Sequence, residues 1–185
     1  MLIGRQLELM NELVQGLQQR RGDTRAHAAW RELRDRAAAH FQAREQILLP
    51  ALRRGGWKGL NNEALVAHMD LKRALAALCI CEPADSDFPQ VLRGFSHALE
   101  QQQLADKLWI VSSLRRLTSE SERRRMCEEI ERLYAALIPP ADHYLEAALH
   151  TRPGIAVLQD AAVVLSSLPG MAPPMRPPRR SDDHA

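Results

Sequence analysis

Apolar side chains recur at intervals of three and four residues in long blocks, and clusters of Gly, Pro, Asn and Asp separate one block from the next. The first block runs from Leu2 to about Gln19 and is closed by Arg20-Arg21-Gly22-Asp23. A second opens after Asp23 or Thr24, either of which suits a helix N-cap, and continues to about Arg54, where Gly55-Gly56 stops it. Asn61-Asn62 caps a third block that ends near Ile80. The fourth follows Pro83-Ala84-Asp85-Ser86-Asp87, carries Pro89 near its start and reaches about Leu117. Thr118-Ser119-Glu120-Ser121-Glu122 reads as a further helix start, with a fifth block to Leu137, and Pro139-Pro140 opens a short sixth through His150. No solenoid-type repeat is present. The pattern predicts an all-α fold.

Composition agrees with that reading and bounds it. Leu, Ala, Arg, Glu and Gln dominate, aromatics make up 4%, and β-branched runs are nearly absent outside Val163-Val164. A chain of 185 residues suits one domain with a full core plus a tail. Residues 1–150 are assigned to the bundle. Residues 151–168 include an apolar stretch from Ile155 to Leu168 that would dock on the bundle or form a dimer contact, simple closure of the core being the plainer role. Residues 169–185 form a Pro-rich, basic tail whose composition predicts disorder.

Charge and cysteine usage exclude several classes. With 25 basic and 23 acidic residues the net charge is +2, so charge alone implies no nucleic-acid partner. Arg5, Glu8 and Glu12 interrupt the apolar pattern at the N-terminus, against a signal peptide, and a cytoplasmic location is expected. The stretch from Ile155 to Leu168 contains Gln159 and Asp160 and falls short of a span of about 20 residues, so no membrane is expected. Cys79, Cys81 and Cys127 are an odd number without framework spacing, which reads as reduced thiols; Cys79 and Cys81 sit on different faces of a helix and make a weak metal or redox pair.

Chemistry concentrates in the second block, in His40-Phe41-Gln42-Ala43-Arg44-Glu45-Gln46-Ile47-Leu48-Leu49-Pro50. This stretch resembles H-F-x-x-E-E-x-x-L-F-P of the hemerythrin (HHE cation-binding) family. The resemblance implies an up-down four-helix bundle with additional C-terminal helices, in which two helices bearing His and a Glu one turn later, and single histidines on the other two, surround a di-iron site. It further implies O2 binding, or iron and redox sensing. His68, in Ala67-His68-Met69-Asp70-Leu71-Lys72, matches the single histidine of the third helix; Gln102 and Asp106 fall where the second His-x-x-x-Glu pair lies, with Ser112 near the family's proline. Arg44 stands in place of the ligand glutamate, Gln102 in place of a histidine, and Arg5 or Gln6 in place of the first-helix histidine.

Helix geometry bears on what those replacements do. Residues four apart lie roughly 40° apart on a helix face, and residues five apart roughly 140°, so Glu45 points away from His40. Trp30, Leu33, Ala37, Phe41, Leu48 and Leu52 define one apolar face with His40 and Arg44 on it; Val91, Leu92, Phe95, Leu99, Trp109 and Ile110 define another that includes Gln102 and Asp106. Buried unpaired charge is costly. The expectation is therefore an Arg44–Asp106 pair where the relatives hold metal, with Gln102, His40 and His68 completing one polar network. Two alternatives stand beside it: Arg44 snorkels to the surface and the histidines are ordinary core-edge residues, or a mononuclear metal site survives on His40, His68 and Asp106.

His143, Glu146 and His150 share one face of the segment after Pro140, a spacing compatible with a metal, although Tyr144, Leu145, Ala148 and Leu149 opposite them read more simply as the buried side of an amphipathic helix. Arg123-Arg124-Arg125 reads as an exposed charged face. No Gly-rich phosphate loop, nucleophile elbow or Cys-x-x-Cys pair is present, so no enzymatic activity is expected. The expected function is a non-enzymatic sensor or binding module with a lost or reduced iron site. No cofactor is the first expectation, and non-heme iron the alternative. A protein partner or a homodimer is the expected association. His40, Phe41, Glu45, Ile47 and Leu48, together with Asp106-Lys107-Leu108, are also similar to stretches of the small Rsd/AlgQ-type helical regulators that sequester the housekeeping sigma factor, which implies sigma-factor binding as a second function.

Overall fold

A computed structural model describes residues 2–20, 24–56, 62–140 and 142–144. The docking segment expected at 151–168 and the tail at 169–185 lie outside the described residues, as do Glu146 and His150.

All regular secondary structure among the described residues is helical, with no strand. The elements are α1 (Leu2–Gln19), α2 (Thr24–Ala43), a π-helical turn at Arg44–Leu48, α3 (Leu49–Arg54), α4 (Asn62–Cys79), α5 (Phe88–Ala105), a second π-helical turn at Asp106–Ile110, α6 (Val111–Leu117) and α7 (Glu120–Leu137). Backbone dihedrals stay right-handed α across both π turns, so α2 with α3, and α5 with α6, each form one continuous rod.

Packing follows the apolar stripes. Leu7, Met10, Val14 and Leu17 of α1, spaced by three and four residues, are all buried, as are Met126, Ile130 and Tyr134 of α7. α1 packs on α2 and α5, α4 on α5 and α2, and α7 lies along α2. These contacts close α1, α2, α4 and α5 into a ring of neighbours around one core. The Trp30 indole N–H donates to the Leu78 carbonyl at 3.0 Å, while Phe41 and His68 meet with ring centres 5.1 Å apart. Sequence numbers thus rise along α2 as they fall along α4, and the two helices run antiparallel.

The ends of the elements have local causes. Ser119 accepts from the Glu122 backbone N–H while the Glu122 carboxylate takes the Ser119 N–H, a reciprocal cap that starts α7. Gly56, at φ 84°, supplies the left-handed residue after α3. Gly55 is needed for a different reason: a Cβ there would lie 2.9 Å from both Leu117 Cβ and the Leu117 carbonyl oxygen, so α3 and the end of α6 approach only because the side chain is missing. No helix among the described residues is long and apolar enough to cross a membrane.

Candidate functional site

The two rods carry matched irregularities. In the first, the Leu49 N–H reaches back to the Arg44 carbonyl; in the second, the Val111 N–H reaches back to the Asp106 carbonyl, and these five-residue bonds define the π turns. Each turn begins at a charged residue, and the two residues are 62 positions apart. The same offset relates His40 to Gln102 and Pro50 to Ser112. Pro50 in a regular α-helix would set its ring against the carbonyl of Gln46, and the helix is in its wider π form at that carbonyl. In the second rod the Ser112 hydroxyl donates to the Leu108 carbonyl at 2.8 Å and lies 3.2 Å from that of Trp109.

The π turns deliver their first residues to each other. The Arg44 guanidinium donates to Asp106 Oδ1, and the Gln102 amide donates to the same oxygen at 2.7 Å. Arg44, Asp106 and Gln102 are all buried, at 1%, 4% and 0% exposure. Arg44 does not reach the surface, so the snorkelling alternative does not describe this chain. A charge-assisted bond at that depth gains from the low local dielectric, which partly offsets the cost of desolvating both ions.

The single network expected from sequence is instead two clusters. His68 Nε2 lies 2.8 Å from Glu45 Oε1, and Lys72 Nζ donates to the same oxygen at 2.7 Å. Glu45 turns away from His40, as the helical wheel requires, and meets α4. Burial works against its ionisation, but the hydrogen bonds and charges of Lys72 and His68 hold its carboxyl below the ordinary range. Its oxygen is then a pure acceptor, so His68 donates through Nε2–H. Burial, followed by the nearby Arg44 charge, keeps His68 neutral by lowering its pKa to about 4, against the pull of Glu45. Lys72 also lies 5.9 Å from the centre of the Phe41 ring.

His40 joins neither cluster by a hydrogen bond. It is fully buried, neither ring nitrogen has a partner, and burial, followed by the Arg44 charge, lowers its pKa well below the usual value. Asp106 Oδ2, Arg44 Nε, Gln102 Oε1 and the Tyr134 hydroxyl are likewise buried and unpartnered. Burial, with smaller opposing influences from Arg44 and Asp106, raises the Tyr134 pKa. The centre therefore holds an ion pair with one unpartnered polar atom on each member, Arg44 Nε and Asp106 Oδ2.

A metal does not fit this centre. Among the described residues, no group of three or more His, Cys, Asp or Glu is disposed to hold a metal ion, so His40, His68 and Asp106 are not gathered as ligands. Asp106 Oδ1 already accepts from Arg44 and Gln102, and the guanidinium is a fixed positive charge among the would-be ligands. Of the first-helix candidates, Arg5 is exposed, and Gln6 accepts from Arg36 at 3.1 Å on α2. His143 is exposed, and its expected partners Glu146 and His150 fall outside the described residues.

Sequence reasoning missed Glu45 and Lys72 as a bonded pair, Tyr134 as a buried phenol, and Arg34. Arg34 is 2% exposed and stacks on Trp30, 4.4 Å from the ring centre. The four-residue spacing of His68 and Lys72 on α4 was the available signal for the Glu45 cluster. Comparison with protein-family models, with curated proteins and with solved structures returned no match.

Proposed function

We propose that this chain is a hemerythrin-like four-helix bundle in which the Arg44–Asp106 pair takes the place of the metal centre, and that it serves as a non-enzymatic sensor or binding module in the cytoplasm. The observation that carries this reading is the pair of π turns, one per rod, each presenting one member of a buried ion pair at the middle of the bundle. π turns within α-helices cost regular hydrogen bonding and occur mostly at functional sites. Two of them meeting at one pair of charges make the core centre, rather than the surface, the place to look for function.

The test is metal analysis with an ultraviolet-visible spectrum of the purified full chain, beside an Arg44→Glu, Gln102→His variant. Wild type is expected to carry no stoichiometric iron, and the variant to gain iron affinity. Stoichiometric iron with an oxo-bridge absorption band in wild type would overturn the reading. A variant with no gain would count against placing Arg44 and Gln102 at the ligand positions.

A second reading has its own observation. Leu65 and Val66 on α4, and Leu104 and Leu108 beside Asp106 and Lys107, are exposed large apolar side chains at 39% to 55%. The Asp-Lys-Leu stretch shared with the sigma-factor regulators therefore carries an outward Leu108 and an exposed Lys107. Co-purification of RNA polymerase sigma factor with the wild-type chain, lost in a Leu104→Glu, Leu108→Glu variant, would favour that function.

A further inference from the structure

The charges of α7 run against its own dipole. Acids suit a helix N-terminus and bases a C-terminus. After Glu120 and Glu122, however, the N-terminal half of α7 carries Arg123, Arg124 and Arg125, and the C-terminal half carries Glu128, Glu129 and Glu131 before Arg132. Two of these arginines are satisfied locally: Arg124 pairs with Glu120 at 2.6 Å, and Arg123 donates to the Thr118 carbonyl. Arg125, Glu129 and Arg132 are exposed and take part in no ion pair among the described residues. Within one helix a four-residue pair with the base before the acid, as in Arg125 and Glu129, is the weaker order.

At about 100° per residue, Glu122, Arg125, Glu129 and Arg132 fall within roughly 80° of one another on the helix surface, next to the buried Met126. Signs alternate along this stripe, which is about 15 Å long. It forms one wall of a cleft of about 630 Å³ whose other wall includes Ala51, Arg54, Gly55 and Leu117. Its members are also symmetric about Cys127: positions 122 and 132 are acid and base, and positions 125 and 129 are base and acid. A second α7 laid antiparallel on the first, with a two-fold axis at the level of Cys127, therefore sets Glu122 opposite Arg132 and Arg125 opposite Glu129, each pairing occurring twice. A parallel copy in register would set every charge against its own kind. The antiparallel copy also brings each arginine block to the other's glutamate block and opposes the two dipoles. Cys127 itself lies roughly 180° round the helix from the stripe, so no disulfide enters the contact.

The cleft lining narrows the class of partner. Arg54, Arg125 and Arg132 face Glu122, Glu128 and Glu129, three charges of each sign. A polyanion gains no net attraction from such a lining, and no aromatic side chain among its described residues offers a base a stacking platform. We propose that the chain forms a two-fold homodimer in which the Glu122–Arg125–Glu129–Arg132 stripe of α7 packs antiparallel on the same stripe of a second copy, with Met126 and Leu117 supplying apolar contact at the floor. This contact is independent of whether the bundle holds metal. It lies on a helix that packs against α2 and the first π turn, one layer from Arg44.

The experiment is sedimentation equilibrium of the full chain over a range of concentrations, in low and high salt. A reversible dimer is expected, with a dissociation constant of roughly 10 to 100 micromolar for a contact built on one helix pair. Raising the salt to about 1 M, where the Debye length is about 3 Å, should weaken it several-fold. Arg125→Glu places like charges opposite each other twice and should weaken the dimer about tenfold or more. Adding Glu129→Arg exchanges the two signs and should restore wild-type affinity to within about threefold. The exchanged variant should pair with itself and not with wild type, because like charges then meet at both positions. Circular dichroism checks that each variant keeps its helices. A wild-type chain that stays monomeric up to about 1 millimolar, or dimerises equally well at both salt concentrations, overturns the proposal without recourse to any variant. A dimer indifferent to Arg125→Glu overturns it too and points to the exposed Leu104 and Leu108 instead, as does an exchanged variant that is folded and remains monomeric.

Discussion

Replacing Arg44 by Met leaves the Asp106 carboxyl buried with only Gln102 as a hydrogen-bond partner. The variant has two ways to fold: keep an uncompensated carboxylate in the core, at a cost of about 3 to 5 kcal/mol, or protonate it. Protonating at pH 7 a group that ordinarily ionises near pH 3.9 costs about 1.36 kcal/mol for each of roughly three pH units, or about 4 kcal/mol. The two routes converge, so Arg44→Met should lose about 4 kcal/mol at pH 7. The protonation route adds a signature, because its cost falls by about 1.4 kcal/mol for each unit that the pH is lowered. Removing Arg44 also removes a charge that disfavours protonated His40 and His68, which shrinks the deficit in acid as well. Asp106→Leu strands the guanidinium instead. Arg44 has no neutral form to retreat to, so that deficit lacks the same relief. Arg44→Met with Asp106→Leu removes both charges and should recover most of the loss, ending near wild type or above it. Urea unfolding of the three variants and wild type, followed by circular dichroism at pH 7.0 and 5.5, measures all of this. A single variant within about 1 kcal/mol of wild type at pH 7, or a double variant as unstable as the worse single, would refute a buried, mutually compensated pair.

Three further outcomes follow from the geometry. His68 has its folded pKa lowered from 6.5 to about 4, so the unfolded chain binds the extra proton first; stability is full above about pH 6.5 and is lost as pH falls toward 4, by about 3 kcal/mol from this group. His40 contributes in the same direction and Glu45 adds loss below its ordinary range, and a unfolding series from pH 7.5 to 4.5 should be flatter for His68→Gln than for wild type. Ser119→Ala removes the side-chain acceptor that starts α7 and should cost roughly 1 kcal/mol in the same urea assay, whereas Ser119→Asp should retain most of it. Gly55→Ala should cost about 1 to 3 kcal/mol, because its Cβ would press on Leu117 Cβ and carbonyl oxygen, and Leu117→Ala in the same chain should recover none of that loss, since alanine keeps both of those atoms.

How much of this was legible in the sequence depended on whether a regular helix was the right ruler. Where it was, as in α1 and α7, three- and four-residue spacing marked the residues that are buried, and the Ser119–Glu122 pair marked where a helix begins. The same ruler put Arg44 and Asp106 on interior faces, and burial cost then required a partner for each. It did not place His68, because its partner Glu45 lies on a side of the first rod that the apolar stripe does not mark, and the four-residue spacing of His68 and Lys72 on α4 was the one trace the contact left.

The π turns were illegible for a more general reason. A wheel with a fixed angle per residue has no place for a turn that holds an extra residue, and nothing in the apolar spacing from Phe41 to Leu48 signals one. The hints were Pro50 and Ser112, six residues beyond Arg44 and Asp106, each of which disturbs the carbonyls of the preceding turn. A lone proline in a long helical block is ordinarily taken as a kink. Its counterpart Ser112, separated by the same 62 residues as Arg44 and Asp106, turns it into half of a matched pair. Matched irregularity in two packed rods is hard to reconcile with accident, since each π turn forgoes regular hydrogen bonds and Pro50 gives a local cause for only one of them. What they share lies between the helices, where Arg44 and Asp106 meet in the buried core.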